Sequence, residues 1–484
     1  MKKICIIPLD SRPCNTVWLE HLANEAGLET VMYPRALCGT LHRGANFFEM
    51  MAMIEDNIAD GSYLLISADG LCSGGLVQAR LGEIDVEAVI SRLKVFADYK
   101  KRYPDLKIYF FDTLMRTSIT AYDKESSRYW ALVNEYSRLY GRYHYGCNHA
   151  DYIKLQALEK LIPQALLSRY LRARQIKHRL NMHFLEWANQ GIIDYLIILQ
   201  EDASPEGIQK IEQEKIANYI SDNKLETKVK TYNGTDEGGL LLLARIINEQ
   251  YRLNPQIYLH RPYPDALNKI MLFEDRPFIL NLEGMFKTVG FRFAADYNTA
   301  DFILAVYTEK ENYDLNLNRY QEVLPDKTFQ YYRFIGELND YLKTEKKVAL
   351  VDLLFPNGGS PELLKAIDYK ALQVYSAWNT ASNAMGSALC EIAVLSANPK
   401  VNHNAFKYNR IMDDCIYQYD IRRKINQDLL ADGYNIFDLK EHAAKVLARI
   451  AAEMEKYRFL VENRRFKLSL PWNRTFEIDI EVED

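Results

Sequence analysis

Lys3-Ile4-Cys5-Ile6-Ile7-Pro8-Leu9 runs straight into Asp10-Ser11-Arg12-Pro13-Cys14-Asn15. An apolar strand ends, and a carboxylate, a hydroxyl, a guanidinium and an amide follow at once. In open α/β sheets, ligands sit outside the carboxyl ends of the strands. The same junction recurs along the chain. Further strands are expected at 29–33, 62–68 and 107–112, with helices between them from Thr16 to Ala26 and from Val86 to Tyr103. Strands alternating with helices of about 10 to 15 residues predict a parallel sheet.

Residues 123–190 read as almost wholly helical, a helical insert broken or kinked at Pro163. Alternation resumes at Tyr195-Leu196-Ile197-Ile198-Leu199, a continuous apolar run of the kind a strand covered on both faces requires. Strands are expected at 228–232, 256–259, 277–282, 301–306, 347–354 and 372–376, with helices such as Glu237 to Arg252 and Glu362 to Ala366. The chain turns mainly helical from about 383 to 460 and closes on an acidic strand, Thr475 to Val482. The fold class is therefore α/β, with Rossmann-like parallel sheets in two or more layers or lobes, a helical insert and a mainly helical C-terminal region. The expected divisions are 1–210, 211–320 and 321–484. No internal repeat of fixed period stands out.

At 484 residues the chain exceeds one simple core. A net charge of −5 gives no electrostatic case for nucleic acid or an anionic membrane as partner. Seven cysteines, at 5, 14, 38, 72, 147, 390 and 415, form neither a CxxC pair nor a zinc spacing. The N-terminal apolar run is too short for a signal peptide, and no stretch reaches the roughly 18 residues of a membrane span. A cytoplasmic location is expected, with a homo-oligomer left open. Tyrosine is abundant, at 33 residues, and its flat face and hydroxyl suit polar ring-shaped ligands.

Seven junctions share the pattern of apolar strand then polar turn. They are Asp10 to Asn15; Ser67 to Gly75 followed by Arg80; Asp112-Thr113 with Arg116; Gln200 to Gly207; Tyr232 to Gly239; Asp352 to Ser360; and Tyr375 to Asn383. Such residues also cap helices and make turns, but seven of them on one expected edge point to a shared polar cleft. Phosphate-binding glycine loops and the hydrolase elbow GxSxG are missing. His178 and His183 are five apart, which does not put two ligands on one helical face. Acids remain. Two carboxyl groups, one protonated and one ionised, suffice for glycoside hydrolysis.

Asp202 and Asp69 are the candidate catalytic pair. Asp10, Arg12, Asn15, Arg80, Glu201, Asp236 and Glu237 are candidate substrate contacts, and Trp378 with Asn379 a sugar subsite. The expected function is a glycoside hydrolase acting on small saccharides, with no cofactor. One alternative is a divalent-metal sugar or sugar-phosphate enzyme using Asp10, Asp69 and Asp202 as ligands. Another is a non-catalytic sugar-binding or regulatory protein.

The segments Pro8 to Asn15, Asp69 to Arg80 with Gly74-Gly75-Leu76, Glu201-Asp202-Ala203, Ala377 to Asn383 and Leu470 to Glu477 resemble a bacterial family known as domain-of-unknown-function family 4127. The resemblance spans essentially the whole chain. The chain departs from the family pattern at Glu201, where a second Asp is usual, and at Cys72-Ser73, where an aromatic commonly precedes the glycine pair. The resemblance implies which segments matter and implies no reaction.

Overall fold

A computed structural model describes residues 2–313 and 329–483. The chain divides into two compact units: Met1–Leu242 with Phe273–Asp275, and Leu243–Leu272 with Arg276–Asp484. The three-way division expected from sequence differs from this. Residues 211–242 continue the first sheet through its last strand, and position 320 lies outside the described residues.

The first unit holds six parallel strands: β1 (Ile4–Ile7), β2 (Thr30–Met32), β3 (Tyr63–Ser67), β4 (Lys107–Leu114), β5 (Tyr195–Gln200) and β6 (Val229–Asn233). Their order across the sheet is β2-β1-β3-β4-β5-β6. The pairings Ile7↔Ile66, Ser67↔Phe111, Leu114↔Gln200 and Gln200↔Asn233 line up the carboxyl ends. Alternate residues point to one face, so Cys5, Ile7, Leu64, Ile66, Ile108, Phe110, Leu196 and Ile198 share one core. The helix Gln164–Gln190 covers that face with Leu180, Phe184, Leu185 and Trp187. The expected insert is observed as three helices, Lys124–Gly146, His149–Leu161 and Gln164–Gln190, the last two separated at Pro163.

The second unit holds β7 (Gln256–His260), β8 (Arg292–Phe293), β9 (Phe302–Tyr307), β10 (Lys347–Asp352) and β11 (Val374–Ser376), in the order β11-β10-β9-β7-β8 and again all parallel. Counted from its own first strand, this is the doubly wound order 2-1-3-4-5, and the first five strands of the other unit follow the same order. The two units thus repeat one topology, although the sequence shows no repeat. Helices from Ala381–Ala397 to Ala443–Glu455 follow, and β12 (Phe466–Ser469) pairs antiparallel with β13 (Asp479–Val482).

The strand expected at 277–282 is a helix, Phe278–Val289. Phe278, Leu282, Met285, Phe286 and Val289 are buried at helical spacing, Pro277 starts the helix and Gly290 ends it in the left-handed region at φ 84°. No helix among the described residues is long and apolar enough to cross a membrane.

The helix Gly238–Tyr251 packs on the first sheet through its leading glycine. A Cβ on Gly238 would lie 2.4 Å from Cδ2 of Phe111 and 2.8 Å from Cδ1 of Leu199. Gly238→Ala is expected to cost about 1–3 kcal/mol through overpacking, read as a lowered urea midpoint with unchanged slope.

Candidate active site

The strand order of the first unit reverses between β1 and β3, the place where doubly wound sheets open a crevice. Here the backbones touch. A Cβ on Gly70 would sit 2.1 Å from the Pro8 carbonyl oxygen, and one on Gly74 would sit 2.7 Å from the Ala45 nitrogen. The glycines that read as ligand-approach positions therefore serve backbone packing between neighbouring loops. Ser67 accepts from the Gly70 N–H at 3.1 Å and starts the short helix that carries Asp69.

The loop after β1 folds on Asp10. Its Oδ1 accepts from the Arg12 backbone N–H at 3.1 Å, from Arg12 Nε at 3.0 Å and from Asn15 Nδ2 at 2.9 Å. Arg12 Nη2 reaches Asp10 Oδ2 at 2.8 Å, and Nη1 reaches Asp236 Oδ2 at 2.9 Å. Arg12 is thus clamped between the loops after β1 and β6. All four side chains are buried. Burial pushes the Asp236 carboxyl up, Arg12 pulls it back and Asp10 adds to the rise.

A second network crosses the ends of β3, β4 and β5. Lys177, on the helix Gln164–Gln190, donates to Asp69 and, at 2.7 Å, to Asp112. Asn181, one turn on, donates to Asp112 Oδ2 at 2.6 Å. Thr113 Oγ1 lies 2.5 Å from Asp69 Oδ2 and 3.2 Å from Glu201 Oε1. Glu201 in turn takes Arg80 Nε at 2.9 Å. Burial raises Asp69 above the usual carboxylate range, Lys177 opposes this and Asp112 reinforces it. A hydroxyl carries one proton. Thr113 can donate to one of its two carboxyl partners and accept from the other only if that one is protonated.

Arg80 also feels Asp202 and Arg12, and Arg116 feels Arg80 and Glu201, so the two networks adjoin. Asp202 pairs with Arg116, and its side chain is one-third exposed, unlike the buried acids around it. Glu237 lies behind the β6 loop. Its Oε2 accepts from the Thr235 N–H at 2.9 Å, while Oε1 is buried without a hydrogen-bond partner. Burial raises Glu237 to about 8 against its backbone hydrogen bonds, with Asp236 and Glu274 adding to the rise.

Seven carboxyl groups of the first unit (Asp10, Asp69, Asp112, Glu201, Asp202, Asp236 and Glu237) face four cations (Arg12, Arg80, Arg116 and Lys177). Three negative charges are in excess, and burying unpaired charge is costly. Three of these acids, Asp69, Asp236 and Glu237, have raised pKa values.

The structure thus gathers Asp10, Arg12, Asn15, Arg80, Glu201, Asp202, Asp236 and Glu237, with Asp69 joined through Thr113. Lys177 and Asn181 escaped sequence reasoning. Their signal is a polar pair four residues apart among the buried positions Ala173, Leu180 and Phe184. His178 and His183 are packing residues: the His183 ring packs tilted against Trp187 with centroids 4.7 Å apart, and burial lowers His178 to about 4. Among the described residues no three His, Cys, Asp or Glu side chains group to hold a metal ion. Asp10, Asp69 and Asp202 face Arg12, Lys177 and Arg116 instead.

In the second unit, Trp378, expected with Asn379 to form a sugar subsite, is buried, with its ring 6.0 Å from Phe476. Its backbone N–H donates to Asp414 at 3.2 Å, and the Asn379 carbonyl accepts from Asn357 at 2.6 Å. Asp352 closes β10, accepting from the Leu354 and Ser360 N–H groups at 3.1 and 2.6 Å, and burial raises it to about 6.

No curated protein and no solved structure matches the chain. The model of one family, described as "Protein of unknown function (DUF4127)", matches residues 4–481, and the chain belongs to that family.

Proposed function

We propose that the chain is a carbohydrate-active enzyme that hydrolyses a glycosidic bond in a small saccharide at the carboxyl edge of the first sheet. The observation that carries this reading is Thr113 Oγ1 between Asp69 and Glu201. One hydroxyl links a carboxyl raised by burial to a carboxylate paired with Arg80. Two carboxyl groups in unlike environments are the acid and the nucleophile or base of glycoside hydrolysis. Asp69 is the acid, and Glu201 takes the carboxylate role expected of Asp202 from sequence. Asp202, the most exposed acid of the cluster, meets the substrate hydroxyls with Arg116. All seven cysteines are free thiols, which suits a reducing cytoplasm.

The test is a screen of chromogenic glycosides and phosphosugars, with and without divalent ions. Turnover is expected for a glycoside without added metal. Asp69→Asn and Glu201→Gln should each lower kcat by about 10²–10⁴, and Asp202→Asn should act mainly on KM. Full activity in both Asp69→Asn and Glu201→Gln would reject the pairing. Turnover restored only by a divalent ion after chelation would favour the metal-dependent alternative.

A further inference from the structure

The second unit carries a cavity of about 600 Å³ at the carboxyl ends of β7 and β8, a size suited to a small organic ligand. Its polar lining includes Arg261, Glu283, Arg333 and Glu337, and its apolar lining includes Tyr258 and Phe293. Arg333 and Glu337 neutralise each other one helical turn apart, Nε to Oε1 at 4.0 Å, and Arg333 also donates to the Pro262 carbonyl. His260 forms part of the wall. Its ring stacks on Phe334 at 4.6 Å, and its Nε2 lies 3.2 Å from the Phe334 carbonyl. Burial lowers it to about 4, so it is neutral.

That leaves one cation and one anion. Arg261 and Glu283 line the same cavity, yet among the described residues neither makes an ion pair or side-chain hydrogen bond, with each other or with a third group. The shared topology sharpens this. Arg12 follows the first strand of the first unit and is clamped by Asp10 and Asp236. Arg261 stands one residue past the first strand of the second unit, where Arg12 stands five residues past its own, and has no such clamp. A guanidinium offers a planar fork matched to a carboxylate, a carboxylate takes an ammonium, and an aromatic wall takes a ring.

We infer that this cavity binds a ring-bearing zwitterion of the α-amino-acid class, with its carboxylate on Arg261, its ammonium on Glu283 and its ring against Tyr258 and Phe293. The site is separate from the proposed hydrolytic one and does not rest on it.

Calorimetric titration of the full chain tests this with four probes: L-phenylalanine, L-alanine, 3-phenylpropionate and 2-phenylethylamine. L-phenylalanine is expected to bind, and the three probes lacking ring, ammonium or carboxylate to bind at least roughly tenfold more weakly. Arg261→Gln should weaken L-phenylalanine roughly tenfold to a hundredfold and leave 2-phenylethylamine unchanged. Glu283→Gln should weaken L-phenylalanine similarly and leave 3-phenylpropionate unchanged. Both side chains lack structural partners, so both variants are expected to fold, as thermal melting would verify. Absence of L-phenylalanine binding, equal binding of all four probes, or affinities indifferent to both substitutions would overturn the inference.

Discussion

Lys177→Met is expected to destabilise the protein by about 3–5 kcal/mol near neutral pH, the usual cost of removing one partner from a buried ion pair. Burial alone would lower the Lys177 pKa, but Asp112 and Asp69 outweigh it and hold the ammonium well above the ordinary lysine range. Methionine fills similar space and leaves two carboxyl groups at the ends of β3 and β4 without their cation. The loss should depend on pH in one direction. Without Lys177, Asp69 loses the charge that opposes its rise and holds its proton more tightly when folded than when unfolded. Such a group costs nothing below its unfolded pKa, and its cost grows as pH rises toward its folded pKa. The variant should therefore be closest to wild type near pH 4 and furthest from it near pH 8. Urea unfolding of both proteins across that range gives the difference directly. A constant gap would mean that the lysine acts through packing and not through charge.

The same side chains show what a single sequence can disclose. The strands of the first sheet were legible because burial on both faces demands unbroken apolar runs, as at Ile4–Ile7 and Tyr195–Gln200. Their polar ends were legible because a side chain just past a strand stands at the edge of the sheet. Register then brought Asp69, Thr113 and Glu201 together from three strands.

Lys177 was not legible in that way. It lies 65 residues from Asp112, on a long helix that also carries the buried polar residues Arg174 and Asn181, and only its helical phase marks it. The segment 277–282 misled for a related reason. A short apolar run fits a strand or a helix equally well, and only the continuation to Met285, Phe286 and Val289 separates them. The repeated strand order of the two units left no trace in composition or spacing. Doubly wound topology constrains burial and connection and leaves residue identity free. Trp378 misled because its polar neighbours suggested solvent, whereas Phe476, about a hundred residues later, covers it.

Glu237→Gln is expected to act in the opposite sense to Lys177→Met and to stabilise the protein above neutral pH. The folded Glu237 carboxyl is raised to about 8 from 4.5, mainly by burial. Between those values the folded state keeps a proton that the unfolded state releases, so stability falls as pH rises through this window and levels off above it. Glutamine keeps an oxygen for the Thr235 N–H and never ionises. The variant should match wild type near pH 4.5 and exceed it by a few kcal/mol near pH 9, the order set by the size of the shift. Differential scanning calorimetry at both pH values measures this as a Tm difference present only at the higher one. The position also carries weight for function. Asp236, beside it, receives Arg12 and Asn15, and a charge on Glu237 would disturb that arrangement. If Glu237 is only a neutral support, Glu237→Gln should keep hydrolytic activity and extend it to higher pH. If activity vanishes while the alkaline stability rises as expected, Glu237 itself supplies the proton, and the acid role moves from Asp69 to the β6 loop.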